Sequence, residues 1–387
     1  ESGQGAVVKD VDGHEYLNFV GEYTAGLFGH SHPTIRRAID DALDSGVNLS
    51  AHNVNEVKLA AIVCDRFPSI ERVRFTNSGT EANLMAISTA RYVTGRKKVM
   101  VFNGGYHGGL LYFGGGGIPI NAPFEFVVAD FNQIESTRTL LELHGEDLAC
   151  VLVEPVLGSG GCIPANDEFL NLLRQETSNH GIRLIFDEVM TSRLSPGGAQ
   201  QLYGITPDIT TLGKYVGGGM SFGAFGADAL TMSMYDPTTE HFIPHAGTFN
   251  NNSLTMAAGV AAMSDVFTDD VAERLNETGE ALRRELNQLL RGFRAPMQFT
   301  GKGSLMNLHA TGAEINSPND LVASDDRLKE LVFLDLLELG IYIARRGFVS
   351  LMLPLEKADY LRLICAMEKV LEARCSLWKD RSDKSAV

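Results

Sequence analysis

Leu184-Ile185-Phe186-Asp187-Glu188 is a short apolar run closed by two carboxylates. It does not alternate in polarity, so it reads as a strand buried on both faces, as in a mostly parallel sheet. Similar runs lie on either side at Val73 to Thr76, Val99 to Asn103, Phe126 to Ala129, Cys150 to Glu154, Ile209 to Leu212 and Phe222 to Gly226. Spacings of roughly 20 to 30 residues leave room for crossover helices. Helical segments fit there from about Thr80 to Val93, Glu168 to His180 and Leu254 to Val266. The expectation is an α/β fold with a mostly parallel, seven-stranded sheet.

The flanks differ. Val7-Val8 and Tyr16 to Phe19 around Asp12-Gly13 read as a hairpin. Val271 to Leu290 places Leu275, Leu282, Leu286 and Leu290 at helical spacing, and a second helix from about Asp326 to Leu339 stops at Gly340. A short strand at Ile341 to Ala344 and a helix near Ala358 to Leu371 complete a smaller α+β domain. The expected division is 1–50 for the N-terminal part of the small domain, 51–270 for the large domain and 271–387 for the C-terminal small domain.

With 33 basic against 48 acidic side chains the formal charge is −15, which argues against a nucleic-acid partner and against electrostatic attachment to anionic lipid. No apolar run approaches the ~20 residues needed to span a bilayer. Five scattered cysteines with no C-x-x-C pair suggest reduced thiols, hence a cytoplasmic location. The composition is otherwise ordinary, apart from its 40 glycines.

Three segments carry chemistry. Thr76-Asn77-Ser78-Gly79-Thr80-Glu81-Ala82-Asn83 joins a strand to a helix. Ser78 and Glu81 have capping-box spacing, and the helix start with its hydroxyls suits a phosphate, though a plain helix cap explains the same residues. Asp187 closes a buried strand where open α/β sheets bind ligands, or else it caps the next turn. Lys214, in Leu212-Gly213-Lys214-Tyr215-Val216-Gly217, lies between apolar residues and tight backbone, where a desolvated amine becomes nucleophilic. It is not a P-loop, because Tyr rather than Ser or Thr follows the lysine. Together these groups are what pyridoxal 5'-phosphate requires for its phosphate, ring nitrogen and aldehyde.

The ordered motifs are Asp10-Val11-Asp12-Gly13, Gly29-His30-Ser31-His32-Pro33, Asn77-Ser78-Gly79-Thr80-Glu81-Ala82, Tyr106-His107-Gly108, Val153-Glu154-Pro155, Phe186-Asp187-Glu188-Val189, Thr211-Leu212-Gly213-Lys214 and His245-Ala246-Gly247-Thr248. With them the chain resembles the class III pyridoxal-phosphate aminotransferases of fold type I, in the glutamate-1-semialdehyde aminomutase-like branch. The resemblance implies that Lys214 carries the cofactor as a Schiff base and shuttles the substrate proton, and that Asp187 pairs with the ring nitrogen. It implies Val189 and Tyr106 on the two ring faces, His107 and Glu154 supporting the ring environment, and Ser78, Gly79 and Thr80 at the phosphate. It also implies a homodimer, with Thr248 completing the phosphate cradle across the interface. No metal is expected: His30-x-His32 before Pro33 reads as a structural turn without a third ligand.

Two departures separate the chain from the aminomutases. Arg345-Arg346-Gly347-Phe348 stands where they have Glu-Ala-Gly-Phe, and Glu22-Tyr23 stands where they have Ser-Trp. Both segments line the substrate side in that family. An arginine there can clamp a carboxylate, although Arg345 and Arg346 also read as solvated charges at a strand end. The pattern is similar to the β-amino-acid aminotransferases. It implies ping-pong transfer from a carboxylate-bearing amine, a β-amino acid as the best guess, to a 2-oxo acid. The alternatives are intramolecular transfer, as in the aminomutase, and a non-catalytic scaffold on the same fold.

Overall fold

Each apolar run of the central region is a strand in the computed structural model, which describes residues 1–378. They are β1 (Arg72–Thr76), β2 (Lys98–Phe102), β3 (Glu125–Ala129), β4 (Leu148–Val153), β5 (Arg183–Asp187), β6 (Ile209–Gly213) and β7 (Gly223–Ala227). The sheet order is β1-β7-β6-β5-β4-β2-β3. Only β7 is antiparallel, pairing β6 on one side and β1 on the other. The other strands run one way, so their carboxyl ends share one edge. Every residue of β4 is buried, which is why its sequence does not alternate.

The helix Gly79–Thr94 lies against this sheet. Ala86, Ile87 and Ala90 pack into a core with Val101, Leu152, Ile185 and Phe225, each such large apolar side chain contributing about 1.5–3 kcal/mol by burial. Ser78 caps its start and Gly95, at φ 69°, ends it.

The chain divides into two compact units, the larger of 33–160 and 165–273, the smaller of 1–32, 161–164 and the residues from Arg274 on. This differs from the expected boundary at residue 50. The helix Pro33–Ser45, assigned by sequence to the small domain, packs on Ser253–Ala261 of the larger unit, where Ile35 and Ala42 are buried. Residues 379–387 of the expected last domain lie outside the described part.

In the smaller unit, Val7–Lys9 and Glu15–Asn18 form the expected hairpin, with Val7 opposite Leu17 and Val8 opposite Tyr16. Asp10 builds its turn by accepting the amides of Asp12 and His14 at 2.9 Å. Ser2–Gln4 and Ile341–Tyr342 complete this sheet. A second sheet joins Gln298–Lys302, Leu305–His309 and Phe348–Ser350. Sequence reading finds no hairpin there, because Gly301, Lys302 and Asn307 interrupt its apolar pattern. The helix Asp326–Glu338 stops ahead of Gly340, at φ 73°, and Arg374 of Lys357–Arg374 forks onto its Asp335 at 2.8 and 2.9 Å.

His309 sets an acid limit on this unit. Its Nε2 donates to the Gly161 carbonyl at 2.8 Å and lies 2.9 Å from Thr300 Oγ1. Burial lowers its pKa from 6.5 to about 4, with Lys329 adding repulsion and the Gly161 carbonyl opposing. The folded pKa lies below the unfolded one, so the stabilising contribution is full above the unfolded value and is lost as pH falls through the folded one. Urea titrations should show stability dropping by about 3 kcal/mol as pH falls across that window. His309→Gln should flatten the drop; an unchanged slope would contradict this assignment.

Candidate active site

The expected cofactor residues follow five of the six parallel strands at their shared carboxyl edge. Ser78, Gly79 and Thr80 follow β1, Tyr106 and His107 follow β2, Glu154 follows β4, Asp187 ends β5 with Val189 just beyond, and Lys214 follows β6. Asp187 stands beside Thr211 in the register of β5 with β6, so Lys214 lies three residues past its neighbour. Strand polarity therefore gathers groups that are far apart in sequence.

Asp187 is 3% exposed and fully engaged on one oxygen. Its Oδ2 accepts from Asn83 Nδ2 and from His107 Nδ1, both at 2.8 Å. Its Oδ1 accepts the Val189 amide at 3.0 Å, the only such bond among the described residues. His107 is thus placed behind the carboxylate. Glu188, by contrast, is structural: it accepts the Ala199 and Gln200 amides at 2.6 and 3.0 Å, and burial raises its pKa.

Glu154 is buried and accepts the amides of Tyr106 at 2.9 Å and Gly158 at 3.0 Å. Burial pushes its pKa up to about 7, opposed by His107 and reinforced by the charge of Asp187. It therefore holds the backbone that carries Tyr106, whose half-exposed ring meets Tyr112 edge-on at 5.9 Å.

Lys214 has φ 53°, left-handed for a non-glycine residue, and opens a short 3₁₀ turn after Gly213. Such backbone costs on the order of 1–3 kcal/mol and persists where the surroundings impose it. At the phosphate segment, Ser78 Oγ accepts the Glu81 amide at 3.2 Å while Glu81 Oε2 accepts the Asn77 amide at 2.7 Å. The reciprocal cap thus spans Asn77 to Glu81, and the first helical amides have no intrahelical acceptor. Two close approaches exclude side chains here. A Cβ on Gly79 would fall 2.9 Å from Val189 Cγ2, and one on Gly108, at φ 121°, would fall 2.1 Å from Thr80 Oγ1. Thr248 is exposed on a loop anchored where Arg74 donates to the His245 carbonyl at 2.7 Å and Asn77 to Asn250 at 2.8 Å.

These groups fit pyridoxal phosphate: a lysine at the end of the strand next to that of a buried carboxylate with one lightly used oxygen, and a helix start rich in donors. Val189 wedges against Gly79 on one side, and the same side chain meets the Cβ position of Gly213 at 3.1 Å.

The expected substrate residues lie in the smaller unit. Gly21, Glu22, Tyr23 and Thr24 all have positive φ, from 47° to 82°. Asn18 holds this strained turn, accepting the Val20 amide at 2.9 Å and donating to Glu22 Oε1 at 2.6 Å. The Tyr23 ring stacks on Phe348 at 5.9 Å, and the Arg346 guanidinium lies 5.1 Å from Tyr23 and 5.4 Å from Phe348. Arg345 differs. Its side chain is 70% exposed and pairs with Glu330, so the reading as a solvated charge describes it. Sequence reasoning assigned no role to Asn83, Thr211 or Asn18; the signal available was an Asn among alanines one turn into a helix.

Against known proteins, the class-III aminotransferase family model matches residues 1–113 and 118–371. The chain is 52% identical over 365 residues to the beta-phenylalanine transaminase of Variovorax paradoxus, covering 94% of this chain and 84% of that one. It is 39% identical to a glutamate-1-semialdehyde 2,1-aminomutase of Thermodesulfovibrio yellowstonii, covering 90% and 86%. The solved structure of a beta-phenylalanine aminotransferase from Variovorax paradoxus superposes with a TM-score of 0.96 at 50% identity, over 97% of this chain and 87% of that one. The family model and these relatives match over nearly the whole length, and the chain belongs to the class-III aminotransferase family, whose members are pyridoxal-phosphate-dependent enzymes.

Proposed function

We propose that the enzyme transfers the amino group of a carboxylate-bearing amine, a β-amino acid, to a 2-oxo acid. The observation that carries this reading is the 52% identity to a beta-phenylalanine transaminase. The arginine–aromatic stack of Arg346, Tyr23 and Phe348 supports it as a place for a carboxylate beside apolar substrate surface. Pyridoxal phosphate, when bound, supplies an electron sink for the carbon that loses a proton. Lys214 Nζ would hold the cofactor and would serve as the base at the amine-bearing carbon. Asp187 Oδ1 would accept from the ring nitrogen, and Ser78, Gly79 and Thr80 would hold the phosphate. Val189 and Tyr106 would cover the ring faces, while His107 and Glu154 fix Asp187 and the Tyr106 backbone.

A homodimer belongs to this reading, Thr248 completing the phosphate cradle of the second copy. The exposed Phe249 beside Thr248, with Phe242, Val54 and Val57 of the larger unit, supports a covered face. The five free cysteines support a cytoplasmic location.

α-, β- and ω-amino donors assayed against pyruvate and 2-oxoglutarate test the reaction. β-Amino acids should give the highest kcat/KM, and product formation should require the acceptor. Product without any 2-oxo acid would favour the aminomutase reading, which the 39% identical relative keeps in view. Of the two arginines, only Arg346 is assigned to the carboxylate. Arg346→Ala should raise KM for carboxylate donors about 10- to 100-fold, the worth of a charged hydrogen bond, and spare simple amines. Arg345→Ala should change KM by less than about twofold, as expected for an exposed pair. Equal effects of both would remove the distinction.

A further inference from the structure

We propose that Asn83, held by Thr211, is a positioning residue that selects which oxygen of Asp187 faces the cofactor. This rests on the reading above that Asp187 pairs with the ring nitrogen. A carboxylate offers about four acceptor sites, two on each oxygen. On Asp187, Oδ2 is filled by Asn83 Nδ2 and His107 Nδ1, at 2.8 Å each, whereas among the described residues Oδ1 receives only the Val189 amide, at 3.0 Å. One acceptor site is therefore left, on Oδ1, and a ring N–H can donate to it.

Asn83 imposes that asymmetry because its own orientation is determined on every side. Its Nδ2 uses one hydrogen on Asp187 and the other on the His107 carbonyl at 3.0 Å, while its Oδ1 accepts the Thr211 hydroxyl at 2.7 Å. Turning the amide over would set its oxygen against both a carboxylate and a carbonyl. Asn83 is 1% exposed and Thr211 fully buried, so water does not replace these bonds. Asn83 also belongs to the helix whose first residues are Gly79 and Thr80, one turn earlier. A single rigid element thus spans the phosphate end and the carboxylate. Without Asn83, Oδ2 keeps only the His107 donor and the plane of the carboxylate is held by His107 and the Val189 amide alone.

The test uses the holoenzyme and four variants. Asn83→Ala should lower kcat about 10- to 100-fold, the worth of a hydrogen bond to a charged group, and Thr211→Val, which removes the hydroxyl at constant shape, about 2- to 10-fold, the worth of a neutral one. KM for the amino donor should stay within about twofold, because the donor is bound elsewhere. Both should shift the pH titration of the visible cofactor absorbance and speed cofactor loss on dialysis. Thr211→Ser, which keeps the hydroxyl, should restore the wild-type titration. A wild-type titration curve and kcat in both Asn83→Ala and Thr211→Val would overturn the proposal while leaving the role of Asp187 intact. Asp187→Ala with an unaltered absorbance titration would instead overturn the reading on which it rests. If Asn83→Ala does not fold, Thr211→Val decides.

Discussion

Replacing Lys214 by alanine should abolish turnover, with a loss of at least ~10⁴-fold, the upper range for a positioned acid–base group, to which loss of the covalent anchor adds. Both tasks fall on one atom, Nζ, so no neighbour compensates: Asp187, Glu154 and Glu188 are carboxylates already engaged by backbone or side-chain donors. The fold should survive, because β6 is held by its backbone pairing with β5 and β7. The variant series carries an internal control. Lys214 sits at φ 53°, so alanine keeps the backbone penalty whereas glycine relieves it. Lys214→Gly should therefore be more stable than Lys214→Ala by about 1 kcal/mol, though equally inactive. Retained turnover in Lys214→Ala, or purified enzyme with no pyridoxal absorbance after reconstitution, would overturn the assignment.

Asp187→Asn should cost about 10²–10³-fold in kcat, the range for removing one charge from a buried hydrogen-bonded pair. The amide has only one acceptor oxygen. Facing Asn83 and His107, that oxygen leaves its NH₂ group against the Val189 amide, where it offers the ring nitrogen no acceptor. Turned over, it meets two donors with a third. In the first arrangement the ring nitrogen has no acceptor; in the second it has a neutral oxygen, which holds the proton less strongly than a carboxylate, and two donors are left facing the amide NH₂. Stability should fall as well, since a buried amide is left facing a donor, by about 1–3 kcal/mol. Equal kcat in the two enzymes would show that Asp187 does not act on the cofactor.

Much of this enzyme was legible before folding. The seven apolar runs, the stop at Gly340 and the hairpin around Asp12-Gly13 follow from local pattern, because strand burial and turn chemistry act over a few residues. The hairpin of Gln298–Lys302 with Leu305–His309 was not legible, since Gly301 and Asn307 break its alternation and its stability comes from pairing with distant Phe348–Ser350. The boundary at residue 50 failed for a similar reason: the helix Pro33–Ser45 is claimed by Ser253–Ala261, far along the chain.

The same division runs through the active site. By itself the sequence determined which chemistry is available: a lysine after a glycine, an aspartate closing an apolar strand, a capped helix start, and an arginine pair in place of an acidic group. Those are properties of residue type and near neighbours. Only the tertiary structure decided how they are used. It separated half-buried Arg346, over Tyr23 and Phe348, from Arg345 paired with Glu330. It bent Glu22 to Thr24 into a left-handed turn that no glycine or asparagine at those positions announces. It brought Asn83, His107 and Thr211 from three separate elements around one carboxylate. Hydrogen bonds are short and directional, so which oxygen of Asp187 stays open depends on positions fixed by sheet register and helix placement, and these no local pattern contains.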